Sequence, residues 1–379
     1  MEEQKLSSEK LYNSFAENGV SYFCGVPDSL VSPFSLFLEA NAKEHHTITA
    51  NEGNAIGLAI GYHAATAKIP LVYMQNSGLG NAVDPLVSLV DSSVLSIPML
   101  LLIGWRGQPG TKDEPQHAKQ GAITGDLLKI LNIPYVVLSR RPNEAARQVE
   151  KSVSHSIKSK SPYALLVEKD TLEGYKYDAR PLSNYPLSRE EAIKCVVDNL
   201  DDSDIIIASI GKASRELYEY RDEKQQSHRR DLLIVGGMGH ASSIAMAIAQ
   251  QKPNRKVYCL DGDGSVLMHM GSLATIGTKG LKNFYHIVFN NGLHDSVGGQ
   301  PSAGFDIDLP AVAKACGYLR VVSAHEPNAT TKALVATKKI NGPVMIEVRI
   351  RSGARLDLAR PSISPSGNKE SFMAFLDEQ

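Results

Sequence analysis

Twelve short apolar runs, six in each half, place the strongest constraint on how this chain folds. The first half contains SYFCGVP, HTITA, PLVYMQN, PMLLLIGW, PYVVLS and YALLVEKD, and the second contains DIIIASIG, DLLIVGGM, KVYCLDGD, NFYHIVFNN, YLRVVSA and PVMIEVRI. Segments of helix length separate most of them. This alternation is typical of buried parallel strands covered by helices. We therefore predict an α/β protein with two similar domains, each a mostly parallel sheet with helices on both faces.

One segment between the two halves shows no helical period. It runs TLEGYKYDARPLSNYPL and contains two prolines. We predict a first domain over residues 1–170, a linker over 171–187 and a second domain over 188–379. A linker of this length leaves no room for a middle domain.

Charge and composition favour a small-molecule function. The formal net charge is -1 and no basic block occurs, which argues against nucleic acid or an anionic membrane as a partner. No apolar run approaches the roughly 18 to 20 residues of a membrane helix. The four cysteines show no C-x-x-C spacing, and the first ten residues lack the basic and apolar regions of a signal peptide. We therefore expect a cytoplasmic protein.

One predicted βαβ unit brings two polar stretches of the second half together. The sequence predicts a strand over 256–260, a helix from Ser265 to about residue 280 and a strand over 283–289. Right-handed crossovers place both strand ends at one edge of the sheet, where open α/β sheets bind ligands. Asp263 and the Asn290–Asn291 pair should therefore converge.

These residues are suited to a metal-bound diphosphate. Asp263 and Asn291 supply the hard oxygen ligands that Mg²⁺ prefers. Gly262 and Gly264 allow a phosphate to approach the backbone closely, and a helix that begins at Ser265 offers it free N–H groups. Either motif alone is a common turn signal. Because both follow consecutive strands, we predict a magnesium diphosphate site.

The G-D-G-S motif, followed about 25 residues later by N-N, resembles the cofactor motif of the thiamine diphosphate-dependent enzymes. The resemblance implies the thiamine diphosphate-binding fold. It also implies that Asp263, the side chain of Asn291 and the main chain of Leu293 bind Mg²⁺. In the glycine-rich turn VGGMGHASS, Gly237 and Met238 match the family's turn whose large apolar residue props the bent cofactor.

The first half carries the other expected part of the family's site. Glu52 in TITANEGNAIG matches the glutamate that hydrogen-bonds the cofactor's aminopyrimidine ring, and Asn81 in QNSGLGNAVDPL lies in a loop similar to the one against that ring. Glutamate is also favoured at any helix start, and asparagine is a common helix cap. The family builds each site from two subunits. The resemblance therefore implies a homodimer or a larger assembly with sites between subunits.

A dinucleotide-binding protein is the alternative of another class. LLIVGGMGHASSIAMAIA matches a strand, a glycine turn and a helix, and Asp261 follows about 20 residues later, as in an NAD-binding oxidoreductase. However, Ser242 occupies the position of the fingerprint's third glycine. This alternative also leaves Asp263 and Asn291 unexplained.

Two candidates follow from the needs of a decarboxylase. Such an enzyme must return a proton to the carbon that loses CO₂, so it needs an acid near the cofactor. Asp28 in GVPDSL and His117 in GWRGQPGTKDEPQH follow the first and fourth predicted strands. The second of these loops is alternatively a solvated charged segment.

Those two phrases and NNGLHDSVGGQPS resemble the phosphonopyruvate decarboxylases, a branch of the family that acts on a 2-oxo acid in phosphonate biosynthesis. The related sulfopyruvate decarboxylases remain the alternative. A phosphonate needs cations, for which the candidates are Arg106, Lys112 and His294. Arg355 and Arg360 in the C-terminal SGARLDLARPS are a second possibility, with that segment folded over the site as a lid.

Overall fold

The computed structural model describes residues 5–177 and 184–378. The chain divides into one unit of Met1–Ala179 with Val297–Gln300 and another of Arg180–Ser296 with Pro301–Gln379. The predicted linker over 171–187 includes residues 178–183, which lie outside the described residues. The domain boundaries at 170 and 188 therefore stay a prediction.

The first unit is a six-stranded parallel sheet. Its strands are β1 (Val20–Gly25), β2 (His46–Ile48), β3 (Ile69–Gln75), β4 (Leu100–Gly104), β5 (Tyr135–Val137) and β6 (Tyr163–Val167). Its helices are α1 (Ser8–Glu17), α2 (Ser32–Asn41), α3 (Glu52–Thr66), α4 (Leu79–Pro85), α5 (Pro115–Ile130) and α6 (Pro142–Ser159). The strand order is β2-β1-β3-β4-β6-β5, and all the pairs are parallel.

Alternate residues of the central strands bury two separate cores. Leu71 and Tyr73 of β3 pack with side chains of α1, α2 and α6. Val72 and Met74, which point to the opposite face, pack with side chains of α3, α4 and α5. Because both faces are covered, the strands read as unbroken apolar runs in the sequence. This confirms the prediction of helices on both faces.

The second unit repeats this design. Its strands are β7 (Ile205–Ala208), β8 (Asp231–Leu233), β9 (Val257–Gly262), β10 (Phe284–Asn290), β11 (Arg320–Ala324) and β12 (Val344–Arg349). Its helices are α7 (Arg189–Val197), α8 (Lys212–Glu223), α9 (Ala241–Gln251), α10 (Asp263–Met268), α11 (Ser272–Lys279), α12 (Leu309–Ala315), α13 (Pro327–Thr337) and α14 (Pro365–Asp377). Two apolar clusters again lie on opposite faces of the sheet.

The two sheets have the same topology. Read from its β8 edge, the second sheet runs β8-β7-β9-β10-β12-β11, which matches the first when strands are counted from the start of each unit. The predicted fold class of two similar α/β domains is therefore confirmed. Within residues 5–177 and 184–378 there is no middle domain.

The helices of the described chain are unsuited to crossing a bilayer. None of those within 5–177 and 184–378 combines the required length with sufficient apolar character.

Candidate active site

The ends of β9 and β10 lie side by side in the second unit. The two strands pair in parallel, with Phe289 opposite Gly262. Asp263 directly follows β9, and Asn291 directly follows β10. The order of the sheet reverses between β7 and β9, and open α/β sheets bind ligands beside such a reversal. The structure thus brings together the two polar stretches at a favourable place.

The helix of this βαβ unit differs from the prediction. It begins at Asp263, with Gly262 as its N-cap, rather than at Ser265. Two helices, α10 and α11, replace the single predicted helix, because His269 leaves the helical conformation (φ -130°, ψ 47°) and Gly271 caps α11. The prediction of one helix from Ser265 is therefore wrong. Apolar residues continue through the break, so their spacing does not reveal it.

Asp263 is a buried carboxylate at the first position of α10. Its exposed fraction is 3%, and it accepts hydrogen bonds from the Ser302 hydroxyl and the Asn291 backbone N–H. Burial raises the pKa of Asp263 to about 6, although these hydrogen bonds favour the ionised form. No basic side chain in the described part of the chain pairs with it. A divalent cation would supply the missing charge, so the site fits a metal.

The two asparagines after β10 make different contacts. Asn290 donates hydrogen bonds to a backbone carbonyl at 2.6 Å and to Glu347 Oε1 at 2.7 Å, which fixes its amide inside the fold. Asn291 donates to Asp295 Oδ2 at 3.0 Å, and its own Oδ1 accepts the Leu293 backbone N–H at 3.0 Å. One lone pair of Asn291 Oδ1 is then left for a cation. An amide oxygen, a carboxylate and a main-chain carbonyl are a donor set that suits Mg²⁺.

Gly304 keeps room beside the carboxylate. A Cβ atom at this position would collide with Asp263 Oδ2 and lie 2.6 Å from Asn290 Oδ1. The structure therefore requires glycine at 304 for the present arrangement of both side chains.

Met238 and His294 lie close to the glycine after Asp263. A Cβ atom on Gly264 would lie 3.3 Å from Met238 Cε and 3.2 Å from His294 Cε1. Burial lowers the pKa of His294 to about 4, so its imidazole is neutral at neutral pH. His294 can therefore offer a hydrogen bond to a phosphonate, but it offers no charge.

The turn before α9 is tied to α10. Gly237 has φ +68°, which glycine adopts without strain. Gly239 donates its backbone N–H to Ser265 Oγ at 3.0 Å. This contact holds the two glycine-rich turns at one edge of the sheet.

Asp261 is not available to a ribose. Its side chain is fully buried, accepts the Gly262 backbone N–H at 3.0 Å and lies 3.4 Å from His286 Nε2. The dinucleotide alternative requires this carboxylate to face a ligand, and its complete burial is inconsistent with that role.

Glu52 and Asn81 form a direct pair in the first unit. Asn81 Nδ2 donates to Glu52 Oε2 at 2.7 Å, and Gly78 packs closely against the same carboxyl group. Burial raises the pKa of Glu52 by more than the hydrogen bond from Asn81 lowers it. Asn81 lies inside α4, which has Gly78 as its N-cap, so the alternative of a helix cap is wrong. A buried carboxyl whose pKa is raised suits proton exchange with a basic ring nitrogen.

Asp28, three residues after the end of β1, is a second buried carboxyl of the first unit. Its exposed fraction is 0%, and Oδ2 accepts the backbone N–H groups of Leu30 at 2.8 Å and Val31 at 3.3 Å. Oδ1 has no partner among the residues that the structure describes. Burial raises the pKa of Asp28, which makes the group suited to carry a proton.

Arg106 and Lys112 lie on the segment between β4 and α5, and His117 lies just after it. Arg106 Nε and Nη2 donate to the two oxygens of Asp113 at 2.8 and 2.6 Å, and Nη1 donates to Ser29 Oγ at 2.8 Å. Lys112 is exposed. His117, in the first turn of α5, places Nδ1 3.0 Å from Asp113 Oδ1. The charge of Arg106 is thus balanced inside the protein.

Asn76 joins this segment to the loop after β3. Its fully buried amide donates to the Arg106 carbonyl at 2.8 Å and to Thr124 Oγ1 at 2.9 Å. The turn that leads into α4, which carries Asn81, and the segment that leads into α5, which carries His117, are therefore fixed to each other within the first unit.

Four residues of these clusters were not identified from the sequence: Asn76, Asp113, Ser302 and Gly304. Asp113 had a usable signal, because an acid four residues before a histidine at a helix start places the two side chains together. The roles of Ser302 and Gly304 depend on contacts across the fold, which no local pattern reveals.

Two family models match this chain. Residues 7–130 match the thiamine pyrophosphate enzyme N-terminal TPP binding domain, and residues 209–348 match the C-terminal TPP binding domain. The matched ranges contain Glu52, Asn81 and the Asp263–Asn291 motif.

Curated relatives align with nearly the whole chain. A phosphonopyruvate decarboxylase of Streptomyces viridochromogenes is 33% identical over 94% of this chain and 92% of its own length. One from Streptomyces hygroscopicus is 32% identical over 95% and 91%. A sulfopyruvate decarboxylase of Methanosarcina acetivorans is 24% identical over 97% of each chain.

Proposed function

The chain belongs to the thiamine pyrophosphate enzymes and is a decarboxylase, and we propose that it converts phosphonopyruvate to phosphonoacetaldehyde and CO₂ in phosphonate biosynthesis. The observation that carries the proposal is the buried Asp263 carboxylate beside Asn291 at paired strand ends, in a chain similar to phosphonopyruvate decarboxylases along nearly its whole length. We further propose that Mg²⁺ is the metal. The four cysteines are unpaired, which fits a cytoplasmic enzyme.

The residues of the second unit would hold the cofactor. Thiamine diphosphate, when bound, supplies the nucleophilic carbon and the electron sink for loss of CO₂. Asp263, Asn291 and the main chain of Leu293 would hold Mg²⁺ against its diphosphate. Met238 would support its bent shape.

Three residues of the first unit would take part in proton transfer. Glu52 would hydrogen-bond the aminopyrimidine ring. Asp28 and His117 are proposed to return a proton to the carbon that has lost CO₂. Burial raises the pKa of the carboxyl group of both Glu52 and Asp28, so each holds a proton at a higher pH than an exposed carboxyl does.

Lys112 is the best candidate of the three for the phosphonate charge. Arg106 is paired with Asp113, and His294 is neutral, whereas the exposed Lys112 lies on the same segment. Arg355 is a weaker candidate, because it is bound by the carboxylates of Glu190 and Glu219.

The substrate preference should favour a dianionic head group. Loss of a hydrogen bond to a charged group costs about 1.5–3 kcal/mol. Pyruvate would lose two such hydrogen bonds, because it lacks the phosphonate group. We expect kcat/KM for phosphonopyruvate to exceed that for pyruvate by about two to four powers of ten. Lys112→Ala should reduce this ratio, because it should lower kcat/KM for phosphonopyruvate and leave kcat/KM for pyruvate unchanged. Lys119→Ala, an exposed lysine of α5, is the matched control.

Sulfopyruvate is the second candidate substrate, since a sulfopyruvate decarboxylase also aligns with nearly the whole chain. Its head group carries one charge fewer. We expect sulfopyruvate to fall between the other two acids in the same assay. A higher kcat/KM for sulfopyruvate than for phosphonopyruvate would replace the named substrate.

We propose that each complete site combines the Glu52 side of one subunit with the Asp263 side of another. Mixing inactive Glu52→Gln and Asp263→Ala chains should then restore activity, because a hybrid dimer contains one site with both residues intact. Random exchange of equal amounts should give about one quarter of the parental activity. If subunit exchange is verified by mass spectrometry and no activity returns, each chain builds its own site.

A further inference from the structure

Asp113 is the most heavily bonded side chain of the segment between β4 and α5. Its Oδ2 accepts Arg106 Nε and the Gly107 backbone N–H, both at 2.8 Å. Its Oδ1 accepts Arg106 Nη2 at 2.6 Å and the Glu114 backbone N–H at 2.7 Å, and it lies 3.0 Å from His117 Nδ1. One carboxylate therefore organises the whole segment.

This carboxylate stays ionised beside the imidazole. Burial raises the pKa of Asp113, but hydrogen bonds from Arg106, from His117 and from two backbone N–H groups outweigh it and hold the pKa well below its usual range. Arg106 supplies the compensating charge, so the Asp113 carboxylate remains an anionic acceptor for the Nδ1 proton of His117.

The second ring nitrogen of His117 is free to react. Nε2 forms no hydrogen bond within residues 5–177 and 184–378, and the side chain is 11% exposed. In a histidine, the hydrogen bond made by one ring nitrogen determines the proton state of the other. With Nδ1–H directed to Asp113, Nε2 is the nitrogen that exchanges protons with a substrate.

We propose that Asp113 is the positioning residue for His117, and this rests on the proposed function, in which His117 returns the proton. The Nε2–H bond of the imidazolium breaks, and its proton forms a C–H bond with the carbon that has lost CO₂. His117 is left neutral with its proton on Nδ1, held by Asp113, and Nε2 regains a proton from water. Asp113 itself gains no proton.

A double-mutant cycle tests this inference. Asp113→Asn should lower kcat about 10- to 100-fold, the range typical of removing the hydrogen-bond partner of a metal-bound histidine's other ring nitrogen. In the His117→Gln background the same change should cost less than about twofold, because the group it orients is already gone. Equal losses in the two backgrounds would show that Asp113 only maintains the loop and would overturn the proposal. Melting temperatures would confirm that both variants fold.

A second measurement needs no substrate. In ¹⁵N-histidine-labelled protein, with the His117 signals assigned from their absence in His117→Gln, neutral His117 should carry its proton on Nδ1. Asp113→Asn should abolish this fixed tautomer. A neutral His117 protonated on Nε2 in the parent would overturn the positioning role. If the parent turns over no 2-oxo acid, the proposed function fails, and the tautomer still decides the role of Asp113.

Discussion

Replacement of Glu52 by Gln is expected to slow decarboxylation by about 10²- to 10⁴-fold, the usual contribution of a positioned acid or base. Gln has nearly the same shape and can still accept the hydrogen bond from Asn81. It cannot exchange a proton with a ring nitrogen. Cofactor affinity should therefore persist, while exchange of the cofactor's C2 proton for deuterium should slow by a similar factor, as followed by NMR.

Glu39→Gln is the matched control for this variant. Glu39 is also a buried glutamate of the first unit, but it bonds His46 at the opposite, amino-terminal end of β2. Its replacement should leave C2 exchange unchanged. A normal rate of C2 proton exchange in Glu52→Gln would show that Glu52 only stabilises the start of α3.

Asp263→Ala should abolish magnesium-dependent binding of thiamine diphosphate. Loss of even an outer partner of a metal ligand weakens affinity about 10- to 100-fold, so removal of the charged ligand itself should exceed about a hundredfold. Because Asp263 is buried and has no basic partner within residues 5–177 and 184–378, removal of its charge should not unfold the protein. Calorimetric titration with and without Mg²⁺ measures the effect.

Asp222→Ala is the matched control in the second unit. Asp222 is exposed on α8 and pairs with His228, away from the strand ends. The Asp222→Ala variant should bind the cofactor normally. Full magnesium-dependent affinity in Asp263→Ala would remove this residue from the metal site.

The sequence predicts the framework of this protein well because its strands are buried on both faces. Each of the twelve apolar runs overlaps one of the strands β1 to β12, with only the first residues of β1 and β3 outside their runs, and the spacing of the runs predicted two similar parallel sheets. The convergence of Asp263 and Asn291 followed from the same pattern, since parallel strands end at one edge. The break at His269 was missed, because a backbone distortion need not interrupt apolar spacing.

The contacts between side chains were harder to predict. Arg106 was expected to face a phosphonate, and its pairing with Asp113 depends on how the loop folds back over itself. The neutral state of His294 depends on burial against Gly264, which lies far away along the chain. Residue types identified the charged groups, but only the three-dimensional arrangement shows which charges are already paired.

Product analysis with phosphonopyruvate tests the central claim most directly. The purified chain would be incubated with phosphonopyruvate, thiamine diphosphate and Mg²⁺, with phosphorus NMR and CO₂ release as the readouts. We predict equal amounts of phosphonoacetaldehyde and CO₂, formed only when the cofactor and the metal are both present. Unchanged phosphonopyruvate under these conditions, or equal turnover without added thiamine diphosphate in protein shown to be free of it, would contradict the account.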